Sequence, residues 1–338
     1  MPVEKVTISG FMILKNVVSQ GYPFIEAITA ALPICDEFLI SEGYSSDKTW
    51  EALQILERKF PGKVRLFRDE WRGKTERGEI LATMTNLLKQ RCTGSYCLYV
   101  QANEIIHESS LEEIRNLTVL YPDVEMFRLP FYNIMGSRLL WIVDFRRRLF
   151  KNKEYIISKG DAYDVGYDPR RFMFRPRKLM DYMLYAKGEH TYYLPQPFYR
   201  YRAISPVNYI KKLESRADLY RRNNLSYMWN KEYIYAKNIF DMALASQSSE
   251  LFWRNMQAYF DGVIWQDLPP GIYPTGGAPR RSIRELADNP KIMNHLLDKW
   301  EYSLQDSLNM LRSSGDSGIS TSTVEAECES LKSLSIGL

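Results

Sequence analysis

The sequence predicts an α/β protein, with a mostly parallel central sheet flanked by helices and a helical region after it. Three observations support this fold class. In the first half of the chain, short apolar segments of strand character alternate with longer segments of helical periodicity. Strands that alternate with helices of about ten residues or more form βαβ units, which require parallel strands. After about residue 206 the strand patterns end and helical patterns return.

The first half contains a regular succession of predicted elements. They are a strand (5–14), a helix (23–32), a strand (36–41), a helix (50–60), a strand (63–67), a helix (80–88) and a strand (95–100). Helices are assigned from apolar residues three and four positions apart, and strands from short runs of β-forming residues. Ligands of parallel sheets bind beyond the carboxyl ends of the strands, so we expect functional residues in the loops that follow these strands.

The rest of the chain has three different patterns. From about Val124 to Tyr201, strand-like segments are separated by glycine and proline. Helical patterns then return, and the last of them carries apolar residues on one stripe of a single long helix, from Ile292 to Leu311, which we interpret as a packing face. Residues from about 313 are rich in serine and predict a flexible tail. We therefore expect an α/β domain with the ligand site (1–205), a helical region (206–312) and a flexible tail (313–338).

Composition and net charge do not by themselves indicate a nucleic-acid or membrane protein, although the basic run from Phe145 to Lys151 leaves a nucleic-acid binder open as an alternative. The net charge of +4 over 338 residues is too small to indicate binding to nucleic acid or to a membrane surface. No apolar run approaches the roughly 18 residues of a membrane-spanning helix, and the N-terminus lacks the apolar segment of a signal peptide. The four cysteines and three histidines do not have the spacing of a zinc site. We therefore expect a cytoplasmic protein without a transmembrane segment.

The first candidate site is the segment SEGYSSDKTWEAL, which begins at Ser41. A predicted strand ends here, a turn rich in glycine and serine follows, and Asp47 precedes a helix. Backbone N–H groups and a helix N-terminus offer hydrogen bonds to an anionic or polyhydroxylated ligand. Glu42 is a candidate acceptor for a ribose or a base edge. An ordinary capped turn explains the same pattern.

The second candidate site is VQANEIIHE, at the end of the strand predicted at 95–100. Gln101 and Asn103 are two positions apart, so the period of a strand predicts that both side chains point in one direction and grip one ligand. Glu104 is the carboxylate of this group. We interpret His107, which follows, as a structural histidine rather than as a ligand or base.

The third candidate site is SKGDAYDVGYD, a loop with three aspartates after the segment DFRRRLF. Asp161 is a candidate general base, if it lies near an acceptor hydroxyl. Loops are also polar because they are solvated, and this alternative remains open. The run from Arg146 to Arg148 offers guanidinium groups that bind phosphate through two hydrogen bonds, although strand alternation sends at least one of the three away from the site.

In order and spacing, these segments resemble the family 2 glycosyltransferases of the GT-A fold. The opening strand ISGFMILKN is similar to the family's first strand, and Glu42 to Thr49 is similar to its D-G-S-S-D-G-T loop. QANEIIHE resembles the Q-A-D-E-x-x-H-E motif of some bacterial members. The segments RRRLFKN, GDAYDVG and YYLPQPFYRYRAISPVNYIKK are also similar. The resemblance covers about residues 6–212.

The resemblance implies a Rossmann-like GT-A domain that transfers a sugar from a nucleotide-diphosphate donor, UDP- or GDP-linked, to an acceptor hydroxyl. It implies that Glu42 and Asp47 contact the nucleoside. It also implies that three further residues contact the donor near its diphosphate: Gln101, Asn103 and Glu104. These are expectations from the family and do not follow from spacing.

The resemblance further implies that Asp161 is the base and that transfer inverts the configuration of the sugar. The acceptor is left open among a glycan, a lipid and a protein, and a homo-oligomer is also left open. Nucleic acid is not an expected partner.

Metal binding is the point at which the chain departs from the family. Members usually hold Mg²⁺ or Mn²⁺ with an aspartate at the position of Asn103, whose amide offers an oxygen without a charge. We therefore expect weakened metal binding at Asn103, or replacement of the ion. The family's late histidine is also absent, with Tyr199 or Tyr201 in its place. The groups that would compensate are Glu104, Lys74, Arg77 and the run Arg146 to Arg148.

A second function remains open at this stage. A GT-A-like protein that keeps the donor pocket without turnover would bind a nucleotide or sugar and would not be an enzyme.

Overall fold

The computed structural model describes residues 6–72, 79–168, 188–194, 196–221, 226–262 and 289–313. Its strands are β1 (Ile8–Leu14), β2 (Glu37–Glu42), β3 (Val64–Arg68), β4 (Tyr96–Tyr99), β5 (Glu104–Ile106), β6 (Met126–Met135), β7 (Arg138–Lys151), β8 (Ile156–Ser158), β9 (Val165–Tyr167), β10 (Glu189–Thr191) and β11 (Phe198–Ala203). Its helices are α1 (Phe24–Ala31), α2 (Thr49–Lys59), α3 (Glu79–Lys89), α4 (Leu111–Leu120), α5 (Pro206–Arg221), α6 (Ser226–Ala243), α7 (Ser249–Gly262) and α8 (Leu304–Ser313).

The main sheet is mixed and has the strand order β3-β2-β1-β4-β7-β6-β11-β5, with β10 beside β6. The strands β3, β2, β1 and β4 are parallel, β7 is antiparallel to both β4 and β6, and β11 is parallel to β6. The predicted α/β fold is confirmed, including the alternation of strands and helices in the first half of the chain. The carboxyl ends of β1, β2 and β4 lie at one edge of this sheet.

Apolar residues cover both faces of the parallel strands. In β1, Met12 lies in the core cluster that includes residues of α1 and α2, while its neighbour Phe11 lies in the cluster that includes α3. Leu98 and Tyr99 of β4 divide between the same two clusters. This division follows from the two-residue period of a strand, and burial on both faces explains the continuous apolar runs in the sequence.

The helical region has a core of its own against the far end of the sheet. Tyr209 and Leu213 of α5 pack with Phe252 and Trp253 of α7, and the sheet contributes Met135 and Ala203. The last strand ends at Ala203 and α5 begins at Pro206. The division into domains at this point remains a prediction. Within the described ranges, no helix combines the length and apolar character needed to cross a membrane.

The prediction of one long helix from Ile292 to Leu311 is wrong. A short 3-10 turn covers Lys291–Met293, Asp298 has a positive φ of 65° that a helix does not allow, and α8 begins only at Leu304. The apolar stripe is nevertheless a packing face, because three of its residues are buried in the main core and two pack against it: Leu296, Leu308 and Leu311, with Ile292 and Leu304. Except for Ser313, the predicted flexible tail lies outside the described residues.

Candidate active site

The loop after β2 is closed by an ion pair between buried Glu42 and half-buried Arg68. Glu42 is fully buried, and its carboxylate accepts hydrogen bonds from the Ser45 N–H and from Arg68 Nε at 2.8 Å. The Arg68 guanidinium also lies over the rings of Tyr44 and Trp50, at 4.4 and 4.6 Å from their centroids. Both oxygens of Glu42 therefore have partners inside the protein, and the side chain that faces solvent here is Tyr44, which is 55% exposed.

Asp47 joins two loops at the start of α2. One carboxylate oxygen accepts the Ser19 N–H at 2.8 Å, and the other accepts the Thr49 N–H at 3.0 Å and the Thr49 hydroxyl. The N-cap position predicted for Asp47 is occupied by Lys48, and Asp47, one position earlier, binds the first helical residue instead. Asn16 adds a further link, because its side-chain oxygen accepts the Ser46 N–H at 2.8 Å.

Trp71 covers the same loop and explains the glycine at position 43. A Cβ atom on Gly43 would lie 2.4 Å from Trp71 Nε1, so no other residue fits without a shift of the indole. Lys15 Nζ lies 5.7 Å from the centre of the Trp71 ring. The ends of β1 and β2 are therefore held together by aromatic and cationic side chains that the sequence patterns did not indicate.

The segment after β4 is a turn rather than a continued strand. β4 ends at Tyr99 and β5 begins at Glu104, with a turn between them. Gln101 Nε2 donates to the Ala162 carbonyl at 3.0 Å, while Asn103 Nδ2 donates to the Tyr201 carbonyl at 2.9 Å. The strand period behind the predicted common direction does not apply here, and each amide binds a different segment.

Asn103 is a hydrogen-bond donor in this structure. Its side chain donates to the Tyr201 carbonyl, and the Tyr201 N–H donates to the Asn103 carbonyl at 2.8 Å. An aspartate cannot make the first of these bonds, because an ionised carboxylate only accepts. Asn103, which differs from the aspartate of the motif that the segment resembles, thus makes a side-chain hydrogen bond to β11.

Glu104 is fully buried and forms an ion pair with Arg148. Its oxygens accept hydrogen bonds from Arg148 Nη2 at 2.7 Å and Nε at 2.9 Å, and from the Gln101 N–H at 3.1 Å. Burial alone would lower the pKa of Arg148, but the Glu104 carboxylate raises that pKa above the usual arginine value. Glu104 has no oxygen turned to solvent, so it supports the turn from inside the protein.

A β-bulge interrupts the pairing of β7 with β6 within the run of three arginines, Arg146 to Arg148. The register with β6 shifts between Phe127 and Arg128, which leaves Arg148 without a paired residue. Arg147 binds Asp164 at 2.7 Å and Glu189 at 2.8 Å, and the Arg146 guanidinium lies 3.8 Å from the centre of the Tyr163 ring. All three arginines thus contact residues 163 or 164, and the expectation that at least one of them points away from the site remains a prediction.

The loop that contains Asp161 is held through its main-chain carbonyls. The Ala162 carbonyl accepts the Tyr99 hydroxyl at 3.1 Å as well as Gln101 Nε2, and the Tyr163 carbonyl accepts Arg148 Nη1 at 3.0 Å. Ala162 itself is buried and has a positive φ of 57°. These bonds join the Asp161 loop to the turn after β4.

Asp161 is exposed at the surface of this loop. Its Oδ1 accepts the Tyr163 N–H at 3.2 Å, a long hydrogen bond, and the rest of the carboxylate faces solvent. Glu42, Asp47 and Glu104 all bind other groups of the protein, as described above. Asp161 is thus the carboxylate of the predicted set that is most accessible to a substrate.

Arg200 and Tyr163 also lie at this corner, and the sequence analysis did not single out either of them. The Arg200 guanidinium lies 4.7 Å from the centre of the Tyr163 ring, which Arg146 also contacts. The alternation in FYRYRA was the available signal, because it directs the tyrosines to one face and the arginines to the other. Tyr199 and Tyr201 are fully buried in the main core, so neither takes the place of an exposed metal-binding histidine.

The residues at this corner do not fit a divalent cation. Mg²⁺ and Mn²⁺ prefer several oxygen ligands, with charged ones among them. Across the described part of the chain, no group of three or more His, Cys, Asp and Glu side chains is arranged to hold a metal ion. The carboxylate nearest to Asn103 in sequence is Glu104, and it is buried against Arg148. Lys74 and Arg77 lie outside the described residues.

Comparisons with known proteins give only distant likenesses. No protein family model matches the chain, and neither does any curated protein sequence. The fold is similar to S. aureus TarS 1-349, with 13% identity over 62% of this chain and 63% of that chain, and a TM-score of 0.33. In the complex of TarS 1-349 with UDP-GlcNAc, the values are 12% identity, 75% and 80% coverage, and a TM-score of 0.34.

A second solved protein is similar over a shorter stretch. Glucosyl-3-phosphoglycerate synthase from Mycobacterium tuberculosis, in complex with Mn²⁺, UDP and glucosyl-3-phosphoglycerate, is 14% identical over 38% of this chain and 44% of that chain, with a TM-score of 0.26. The chain spans less than two thirds of both this protein and, in the first alignment, TarS 1-349.

Proposed function

We propose that the protein is a glycosyltransferase that moves a sugar from a nucleoside-diphosphate donor to an acceptor hydroxyl, with inversion. One observation carries this proposal: Tyr99, Gln101 and Arg148 bind the carbonyls of the Asp161 loop and hold it against the turn that follows β4. An accessible carboxylate is thereby fixed beside the carboxyl edge of the parallel strands, where α/β sheets bind nucleotides.

The chemistry assigned to Asp161 is that of a general base. The acceptor oxygen attacks the anomeric carbon and forms the new C–O bond, while its proton passes to the Asp161 carboxylate. The bond from the anomeric carbon to the diphosphate oxygen breaks, and its electron pair leaves with the nucleoside diphosphate. A single displacement of this kind inverts the configuration at the anomeric carbon.

The donor is proposed to extend from the β2–α2 loop to the turn after β4. The exposed ring of Tyr44, supported by Arg68, offers a flat surface to a base, and Glu42 and Asp47 keep the loop in shape from within. Gln101 and Asn103 remain the proposed contacts at the diphosphate. Glu104 acts here as a positioning residue, through Arg148 and the Gln101 N–H.

Several parts of the proposal rest on the sequence resemblance alone. The donor is expected to be UDP- or GDP-linked, and the acceptor is a glycan, a lipid or a protein. The helical region from 206 to 312 is proposed to contact the acceptor or a second subunit. A cytoplasmic location also remains a prediction.

A second candidate is a binding protein that keeps the donor pocket without turnover. One observation favours it: the described residues lack a set of metal ligands at the corner where the family holds its ion. A protein of this class would bind the nucleotide and would neither hydrolyse nor transfer the sugar.

Thermal-shift screening of UDP- and GDP-sugars, followed by an assay for free nucleoside diphosphate, tests both candidates. A ligand that binds only the folded protein raises its melting temperature, by an amount that grows with concentration above Kd. A shift together with release of UDP or GDP supports the transferase. A shift without release supports the binding protein, and no shift with any nucleotide contradicts both.

A further inference from the structure

Arg200 is a cation for which the described part of the protein supplies no carboxylate. Its guanidinium contacts the Tyr163 ring, and no described acidic side chain forms an ion pair with it. Its Nε atom is buried and has no hydrogen-bond partner among the described residues. A buried donor on a charged group is costly to leave unpaired, which indicates that a ligand supplies the missing acceptor.

The register of the sheet explains why Arg200 is left without a partner. In the antiparallel pairing of β11 with β5, Arg200 lies directly opposite Glu104. Residues opposite each other in a sheet share a face, so Glu104 would be its natural partner. Both oxygens of Glu104 are instead bound by Arg148, and the partner of Arg200 on its other side is Asn133, a neutral residue.

Arg200 lies at the corner to which the diphosphate is assigned. The next residue, Tyr201, exchanges two hydrogen bonds with Asn103. The ring beneath Arg200 belongs to Tyr163, two residues after Asp161, and Arg146 contacts the same ring at 3.8 Å. Two guanidinium groups therefore flank the loop of the proposed base, where charge develops on the leaving group.

We infer that Arg200, together with Arg146, binds the diphosphate of the donor and carries the charge of the leaving group in place of a divalent ion. This inference rests on the proposed function, because it assigns a role within the same site. Guanidinium groups match phosphate oxygens with paired hydrogen bonds and stay charged throughout the reaction. When the glycosidic bond to the donor breaks, the electron pair remains on the diphosphate oxygen, and no proton leaves either arginine.

The test measures UDP, GDP and uridine binding by calorimetry, in EDTA and in Mn²⁺, for the wild type and three variants. Arg200→Gln removes the positive charge. Arg200→Lys keeps the charge but loses the paired N–H donors of the guanidinium group. Arg65→Gln is the matched control, because Arg65 also lies over an aromatic ring but is 48% exposed and already bound to Glu37 at 3.1 Å. Melting temperatures verify that each variant folds.

The wild type is expected to bind UDP or GDP in EDTA, with an affinity that Mn²⁺ changes by less than about twofold. Arg200→Gln is expected to lower the affinity for UDP or GDP about tenfold or more, because it removes at least one hydrogen bond from a charged donor. Arg200→Lys is expected to lie between this variant and the wild type. Arg65→Gln and the binding of uridine are expected to be unchanged.

Diphosphate binding that requires Mn²⁺, or an equal loss for uridine and diphosphate in Arg200→Gln, would overturn the inference. If Arg200→Gln does not fold, Arg200→Lys decides the role of Arg200, and unchanged diphosphate affinity in that variant would overturn the inference. If diphosphate binding depends on Arg200 but no sugar is transferred, the proposed function fails and the diphosphate site stands. If transfer occurs and Arg200 variants bind normally, the inference fails alone. If neither UDP nor GDP binds, both fail.

Discussion

The two sides of the candidate site differ in how far their charged groups are already satisfied. In the loop after β2, Glu42 and Asp47 have protein partners for their carboxylate oxygens. In the corner formed by the turn after β4 and the Asp161 loop, Asp161 faces solvent and Arg200 has no acidic partner among the described residues. The carboxylates of the first side are bound within the protein, and the second side has the charged groups to which the proposed chemistry is assigned.

The largest effect on the transfer rate is expected at Asp161. If substitution of Asp161 leaves the rate unchanged, the contrast between the two sides of the site fails. Asp161→Asn removes the base and is expected to reduce the transfer rate by about a hundredfold to ten-thousandfold, with donor binding unchanged. The rate is measured as nucleoside diphosphate released in the presence of acceptor. Glu250→Gln, which alters an exposed pair with Arg254 on α7, is the control. A variant at Asp161 with the normal rate would assign the base elsewhere.

The next largest effect is expected on protein stability, at the buried ion pair between Glu104 and Arg148 on the second side. Glu104→Gln leaves Arg148 as a buried cation whose hydrogen-bond partners, the new amide and the Tyr163 carbonyl, are neutral, and it is expected to lower the free energy of unfolding by about 3–5 kcal/mol. Urea denaturation measures this loss. The double variant Glu104→Gln with Arg148→Met is expected to recover much of it, because an apolar side chain replaces the unpaired charge. A cost no larger than that of Glu250→Gln would contradict a buried pair.

Asn103 gives a smaller effect that sharpens the comparison. Asn103→Asp loses the hydrogen bond to the Tyr201 carbonyl, at a cost of about 1 kcal/mol or more in EDTA. The new carboxylate adds a charged oxygen at the corner, so Mn²⁺ is expected to raise the melting temperature of the variant more than that of the wild type. Identical Mn²⁺ responses would mean that this corner cannot be converted into a metal site by charge alone.

The smallest effect belongs to the first side and depends on pH. Asp69, which follows β3, binds Arg91 at 2.6 and 2.7 Å, and these bonds hold the pKa of its carboxyl below the usual value. The stabilisation is therefore complete above the unfolded pKa of about 3.9 and is lost as the pH falls below it. Urea midpoints at about pH 6 and about pH 3 should differ less for Asp69→Asn than for the wild type. An equal difference would remove Asp69 from the acid response.

Periodicity in the sequence was sufficient to predict the α/β fold. It was insufficient to predict the conformation of the turn after β4. The alternation of apolar segments indicates β1 to β4 with their helices, because local burial on two faces determines that pattern. The same rule failed after Tyr99, where the chain leaves the strand. It also failed between Ile292 and Leu311, because an apolar stripe reports burial and does not reveal an interruption at Asp298.

The roles of the polar side chains depended on partners that are distant in sequence. Glu104 binds Arg148, 44 positions away, and Asn103 binds Tyr201, 98 positions away. No local pattern specifies which carboxylate is buried in an ion pair and which, like Asp161, is exposed. The segment resemblance therefore proposes the positions of the site residues, while the contacts separate carboxylates bound within the protein from Asp161, which is exposed.

The way in which the Asp161 loop is fastened has a consequence for engineering. Tyr99, Gln101 and Arg148 bind the carbonyls of Ala162 and Tyr163, which every amino acid possesses. Side chains along this loop can therefore be exchanged without removing its anchors, apart from Ala162, whose positive φ favours glycine or asparagine as replacements. Substitutions at position 161 would thus change the proposed base on a backbone whose anchors are unchanged, so their effects on rate can be separated from effects on the fold.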